Sequence, residues 1–120
     1  RVVAAYNYTC ALTGYRLNTV AGATVVDAAH IHRFADSRNN DLRNGLALSK
    51  TAHWLFDQGL WSLTDDCRVL VATGAFAESG PPAFLLGGCA GRALLSPCDQ
   101  DLAPNPEYIR WHRETVFEGG

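Results

Sequence analysis

The sequence has no methionine and no two cysteines spaced C-x2-C. The second absence excludes a zinc ribbon or knuckle, whose thiolates come in closely spaced pairs. No apolar run approaches the roughly 20 residues that a membrane-spanning helix needs. Arg1 opens the chain and Ala4-Ala5 lead into polar Tyr6-Asn7-Tyr8, so no secretory leader is expected. A basic excess is also lacking, since the formal net charge is −2. That balance alone speaks against a nucleic-acid partner. Disorder is excluded, because hydrophobic residues make up 48% and charged residues 18% of the chain.

What is present is 120 residues, the size of one domain with one core. With no methionine at its start, the chain is expected to be the C-terminal part of something longer. Cys10, Cys67, Cys89 and Cys98 leave two disulfides formally open. A secreted disulfide scaffold is usually shorter and denser in cysteine, so free thiols in a reducing, bacterial cytoplasm are expected. Charge is unevenly spread. Residues 1–64 carry +2 and residues 65–120 carry −4, so a polyanion would be met by the first half.

Local patterning divides the chain as follows. Arg1 to Tyr8 reads as a short helix, closed by a turn at Thr13-Gly14. Ala23 to Ile31 is rich in β-branched residues and reads as a strand. The polar stretch His32 to Arg43 reads as a loop, and Gly45 to Leu48 as a second short strand. Ser49 is a good N-cap for a helix from Thr51 to Gln58, which Gly59 ends. Leu60 to Leu63 and Cys67 to Thr73 read as strands joined at Asp65-Asp66. Gly74 to Pro104 reads as irregular, and Pro106 opens a last helix through Phe117. Trp54, Leu55, Phe56 and Trp61 read as core.

Chemistry concentrates between Asp27 and Asp57, which holds three of the four histidines. The spacing is H-x13-N-x8-H, from His30 through Asn44 to His53. On the helix, His53 and Asp57 lie one turn apart on one face, where an imidazole and a carboxylate can share a metal ion. Metal-dependent phosphodiester cleavage needs a base for water, a cation for the charge that grows on the phosphate, and a loop held between them. His30 can be the base, because neutral imidazole takes a proton near pH 7. His53 and Asp57 can hold the cation, and Asn44 can tie the loop to its own backbone. Arg33, Arg38, Arg43 and Lys50 flank this region and can meet phosphates.

Ala28-Ala29-His30-Ile31, Asn44-Gly45-Leu46-Ala47-Leu48 and His53-Trp54-Leu55-Phe56-Asp57 resemble the HNH endonuclease motif. Cys10-Ala11-Leu12-Thr13-Gly14 and the helix Tyr108 to Phe117 resemble the opening turn and closing helix of its bacterial restriction-endonuclease subfamily. The resemblance implies an α+β fold with a ββα-metal core, flanking helices and a short antiparallel addition. It implies His30, Asn44 and His53 as catalytic residues on DNA and one divalent metal, Mg2+ or Mn2+, with Zn2+ or Ni2+ also able to occupy the site. Many family members place a ligand just before the base, where this chain has Ala29. Asp27, two residues earlier on the same strand face, is a candidate third ligand, and His32 is the other. His32 is otherwise a solvated loop residue, and His112 a packing or surface residue. A restriction or anti-phage defence role, an N-terminal recognition domain and a homodimer are further expectations. The competing reading is a non-catalytic nucleic-acid-binding module on a degenerate HNH scaffold.

Overall fold

A computed structural model describes residues 1–33 and 41–119. The elements run α1 (Val2–Ala5), β1 (Val26–His30), β2 (Gly45–Ser49), α2 (Lys50–Asp57), β3 (Trp61–Leu63), β4 (Val69–Val71) and α3 (Pro106–Thr115). This is the expected α+β order. Arg38 and the middle of the His32–Arg43 loop lie outside the described residues.

β1 and β2 pair antiparallel, with Asp27 opposite Leu48 and His30 opposite Gly45. β3 and β4 form the antiparallel addition, with Ser62 opposite Leu70. Three regular elements, α1, β1 and β4, are shorter than their sequence patterns. α1 stops at Ala5 because Asn7 and Tyr8 adopt left-handed backbone, with φ of 53° and 55°. β1 starts at Val26 because Thr24 pairs instead with Asn18. β4 starts late because Cys67 turns the chain at φ 62°.

α2 forms where its caps are written. The Ser49 side chain accepts from Ala52 N, and Gly59 leaves the helix at φ 75°. A Cβ on residue 59 would stand 2.1 Å from the Val116 carbonyl oxygen. Glycine therefore lets the C-terminal segment close over the end of α2, where Glu118 N donates to Gly59 O. Gly45 plays a similar part at β2, since a Cβ there would meet Val2 Cγ2 at 2.6 Å. α1 can thus lie directly on the β1–β2 pair beside His30.

Ile31, Leu46, Leu48, Phe56, Trp61, Leu63 and Ile109 form the buried centre between the two sheets, α2 and α3. Trp61 Nε1 donates to Ala52 O at 3.0 Å, which ties β3 to α2. The expected irregular stretch holds only short 3₁₀ turns between Thr73 and Leu102, and it places Leu86, Cys89 and Leu94 in the core. None of the four cysteines is in a disulfide. Among the described residues no helix is long and apolar enough to cross a membrane.

Two expectations are corrected. Trp54 is not core: it is 58% exposed. At about 100° per residue it lies about 200° around the helix from Ala52 and from Phe56, the two buried positions of α2. His32 is not a solvated loop residue, because its ring stacks on Trp111 of α3 at 4.0 Å. Of the two readings of His112, packing holds and surface does not. It is buried, lies flat on Phe56 at 3.6 Å and bonds at both nitrogens.

Candidate active site

The strand register and the α2 caps together build a polar cluster on one side of the ββα unit. Asp27 leaves β1 toward the start of α2. There its Oδ1 accepts from Lys50 Nζ at 2.9 Å, and its Oδ2 lies 3.6 Å from His53 Nδ1. One turn later, Asp57 Oδ2 lies 3.2 Å from His53 Nε2. The imidazole therefore spans two carboxylates, one from the strand and one from its own helix. The Lys50 ammonium, hydrogen-bonded to Asp27, holds that carboxyl below its usual range, with His53 adding to the effect against partial desolvation.

The donors are two carboxylates and one imidazole, all partly open to solvent. Carboxylate oxygen plus imidazole suits a divalent cation. The two ring nitrogens point away from each other, so a single ion can meet only one of them. Among the described residues no three His, Cys, Asp or Glu side chains already stand as a ready metal cage. The residues fit the ion by chemistry. An ion held by His53 would take the place of one carboxylate at one nitrogen.

His30 ends β1 opposite Gly45, three residues along the strand from Asp27, or about 10 Å at 3.3 Å per residue. It lines a cleft of about 280 Å3 with Arg1, Ala28, Asp41 and Asn44. Asn44 is fully buried. Its Oδ1 accepts from His32 N and its Nδ2 donates to His32 O, both at 2.8 Å. Its carbonyl also accepts from Ile31 N at 2.9 Å. One side chain thus clamps the peptide groups just after His30 and fixes where β1 ends.

Three of the four basic residues expected at phosphates lie among the described residues, and they are partly engaged within the fold. Arg33 Nη2 donates to the Asp57 carbonyl at 3.0 Å, at the C-terminal end of α2. Arg43 Nε donates to the Ala103 carbonyl at 3.1 Å. Lys50 pairs with Asp27, yet its side chain remains 79% exposed.

Sequence patterning had no signal for the support beneath α2. His112 Nε2 faces the Phe56 carbonyl at 2.9 Å, and Nδ1 faces Ser62 Oγ at 2.7 Å. A carbonyl can only accept, so Nε2 carries the proton and Nδ1 accepts from the hydroxyl. Burial pushes the His112 pKa down to about 4, with the Arg33 charge nearby adding to the effect and the Phe56 bond opposing it. A neutral histidine therefore ties α3 to the turn of α2 that carries Asp57.

The sequence profile of the HNH endonuclease family matches residues 10–64. No curated protein matches the chain. Among solved structures, a modification-dependent TagI restriction endonuclease superposes over 96% of this chain with a TM-score of 0.72 at 22% identity. At that identity the likeness establishes the fold. The chain spans 35% of that protein's length. The profile begins at Cys10, beside the Ser49 cap, and runs through β1, Asn44, β2 and α2 to the end of β3. The segment that carries the site, residues 10–64, is thus the part of the chain that matches the HNH endonuclease family.

Proposed function

We propose that the chain is the metal-dependent DNA-cleaving domain of a longer restriction or anti-phage defence protein. The observation that carries this reading is the Asp27–His53–Asp57 cluster on a ββα unit whose first strand ends in His30. His53, through the ring nitrogen beside Asp57, and Asp57 would hold one divalent metal, Mg2+ or Mn2+ in function; Asp27, which faces the other ring nitrogen, would join as third ligand only by leaving it. When bound, the metal supplies positive charge against the negative charge that grows on the cleaved phosphate.

The chain's own residues do the rest. His30, neutral, takes the proton from the attacking water. Asn44 holds the backbone after His30, so the base keeps its place. Lys50 and Arg33 contact flanking phosphates, and Arg43 does so more peripherally. The domain's net charge of −2 makes its own hold on DNA weak. An N-terminal part of the full protein then supplies recognition, and pairing of two domains would allow both strands to be cut. The setting is the bacterial cytoplasm.

The test is nicking of supercoiled plasmid in Mn2+ or Mg2+, with a chelator as control. His30→Ala should lose about 10²- to 10⁴-fold in rate, as expected for a general base. It should keep its calorimetric affinity for Mn2+. Full cleavage by His30→Ala would overturn its role. Loss of both cleavage and metal affinity would make His30 a ligand and send the search for the base to His32.

A further inference from the structure

The least explained side chain near the site is Trp54. It is 58% exposed, although indole is among the largest apolar groups. It stacks on no other ring among the described residues, whereas Trp61 lies against Phe56 and Trp111 against His32. Its position in α2 is specific. Lys50 is four residues before it and Asp57 three after it, so all three share one outward stripe of the helix. Both neighbours belong to the polar cluster: Lys50 through Asp27, and Asp57 through His53. Arg33, bonded to the Asp57 carbonyl, brings a second cation to the same end of the stripe.

An open aromatic face beside cations is the chemistry that holds a nucleotide, with the cations on phosphates and the ring on a base or sugar. We infer that Trp54 is the nucleotide platform of this site and packs against the DNA strand beside the phosphate that is cut. The inference rests on the DNA-cleaving reading and adds a residue that sets how the strand lies. The ring carries no charge, so its effect on affinity is independent of salt. Lys50 acts through charge, so its effect depends on salt.

The experiment is fluorescence anisotropy of a labelled duplex, with chelator present so that no cutting occurs. One duplex is fully paired, and a second carries one unpaired nucleotide. Trp54→Ala should weaken binding by roughly 5- to 100-fold, the range for loss of one base–aromatic stack. The loss should be larger on the duplex with the unpaired nucleotide. Trp54→Phe should stay within about threefold of wild type, since a smaller ring keeps a stacking face. The dependence of affinity on salt should be the same for Trp54→Ala and wild type, while Lys50→Ala should lower that slope by about one. DNA should quench the tryptophan emission of wild type and leave that of Trp54→Phe unchanged, which reads the contact without truncating the side chain to alanine. Wild-type affinity in Trp54→Ala would overturn the inference and leave the DNA-cleaving reading intact. Equal losses in the Ala and Phe variants would also overturn it. A wild-type protein that binds neither duplex would overturn the DNA-cleaving reading, and this inference with it.

Discussion

Removing the Asn44 amide tests the link between the loop and the site. In Asn44→Ala the His32 N–H and C=O each lose a 2.8 Å partner in a partly buried setting. An unsatisfied group there costs about 1–3 kcal/mol, so the pair should cost about 2–4 kcal/mol once water reaches part of it. For a two-state domain of this size the unfolding entropy is near 250 cal/mol/K, so the melting temperature should fall by roughly 8–16 °C. Asn44→Asp separates hydrogen bonding from shape. The carboxylate still accepts from His32 N, but its second oxygen faces the His32 carbonyl with no proton between them. At pH 7 this variant should be less stable than Asn44→Ala. Its buried carboxyl has a folded pKa raised above the unfolded value of about 3.9. Stability from the protonated form is therefore complete below that unfolded value and is lost as pH rises through the raised folded pKa. Lowering the pH from 7 should thus narrow the deficit of Asn44→Asp, because the protonated acid can donate to the His32 carbonyl. The assay is urea denaturation of wild type and both variants at pH 7 and pH 5. A loss below about 0.5 kcal/mol in Asn44→Ala, typical of a surface change, would refute the clamp.

His112 makes stability depend on pH in the opposite sense, because its folded pKa of about 4 lies below the ordinary histidine value of 6.5. The folded state resists the proton that the unfolded state takes, so stability should fall by about 2–3 kcal/mol between pH 7 and pH 4.5, and His112→Gln should flatten that slope in the same denaturation assay. Gly59→Ala should destabilise by about 2–4 kcal/mol, because it adds left-handed strain to a Cβ aimed at the Val116 carbonyl; thermal melting reads this, and a neutral result would mean the C-terminal segment is not seated on α2. His53→Ala should abolish tight Mn2+ binding by calorimetry, and unchanged affinity would remove His53 from the ligand set.

Much of the ββα unit was legible because its signals are local. Ser49 caps α2 with its own side chain, Gly59 ends it at positive φ, and Asp57 lies one turn after His53 by helical geometry alone. The order strand, loop, Asn44, strand, helix needed only patterns that act within a few residues. The exposure of Trp54 was also within reach, since the phase of Ala52 and Phe56 already turns residue 54 outward. Long-range pairing decided the rest. Asp27 meets Lys50 and His53 because β1 and β2 pair in one register, and a slip of one residue would turn Asp27 to the other face. His32 finds Trp111, and His112 finds Ser62 and Phe56, across separations of 50 to 79 residues that no spacing rule encodes. A histidine's partners are set by which surfaces the core brings together. The sequence by itself determined the residues able to do the chemistry. Only the tertiary structure decided which of them share a site and which became the buried frame that holds it.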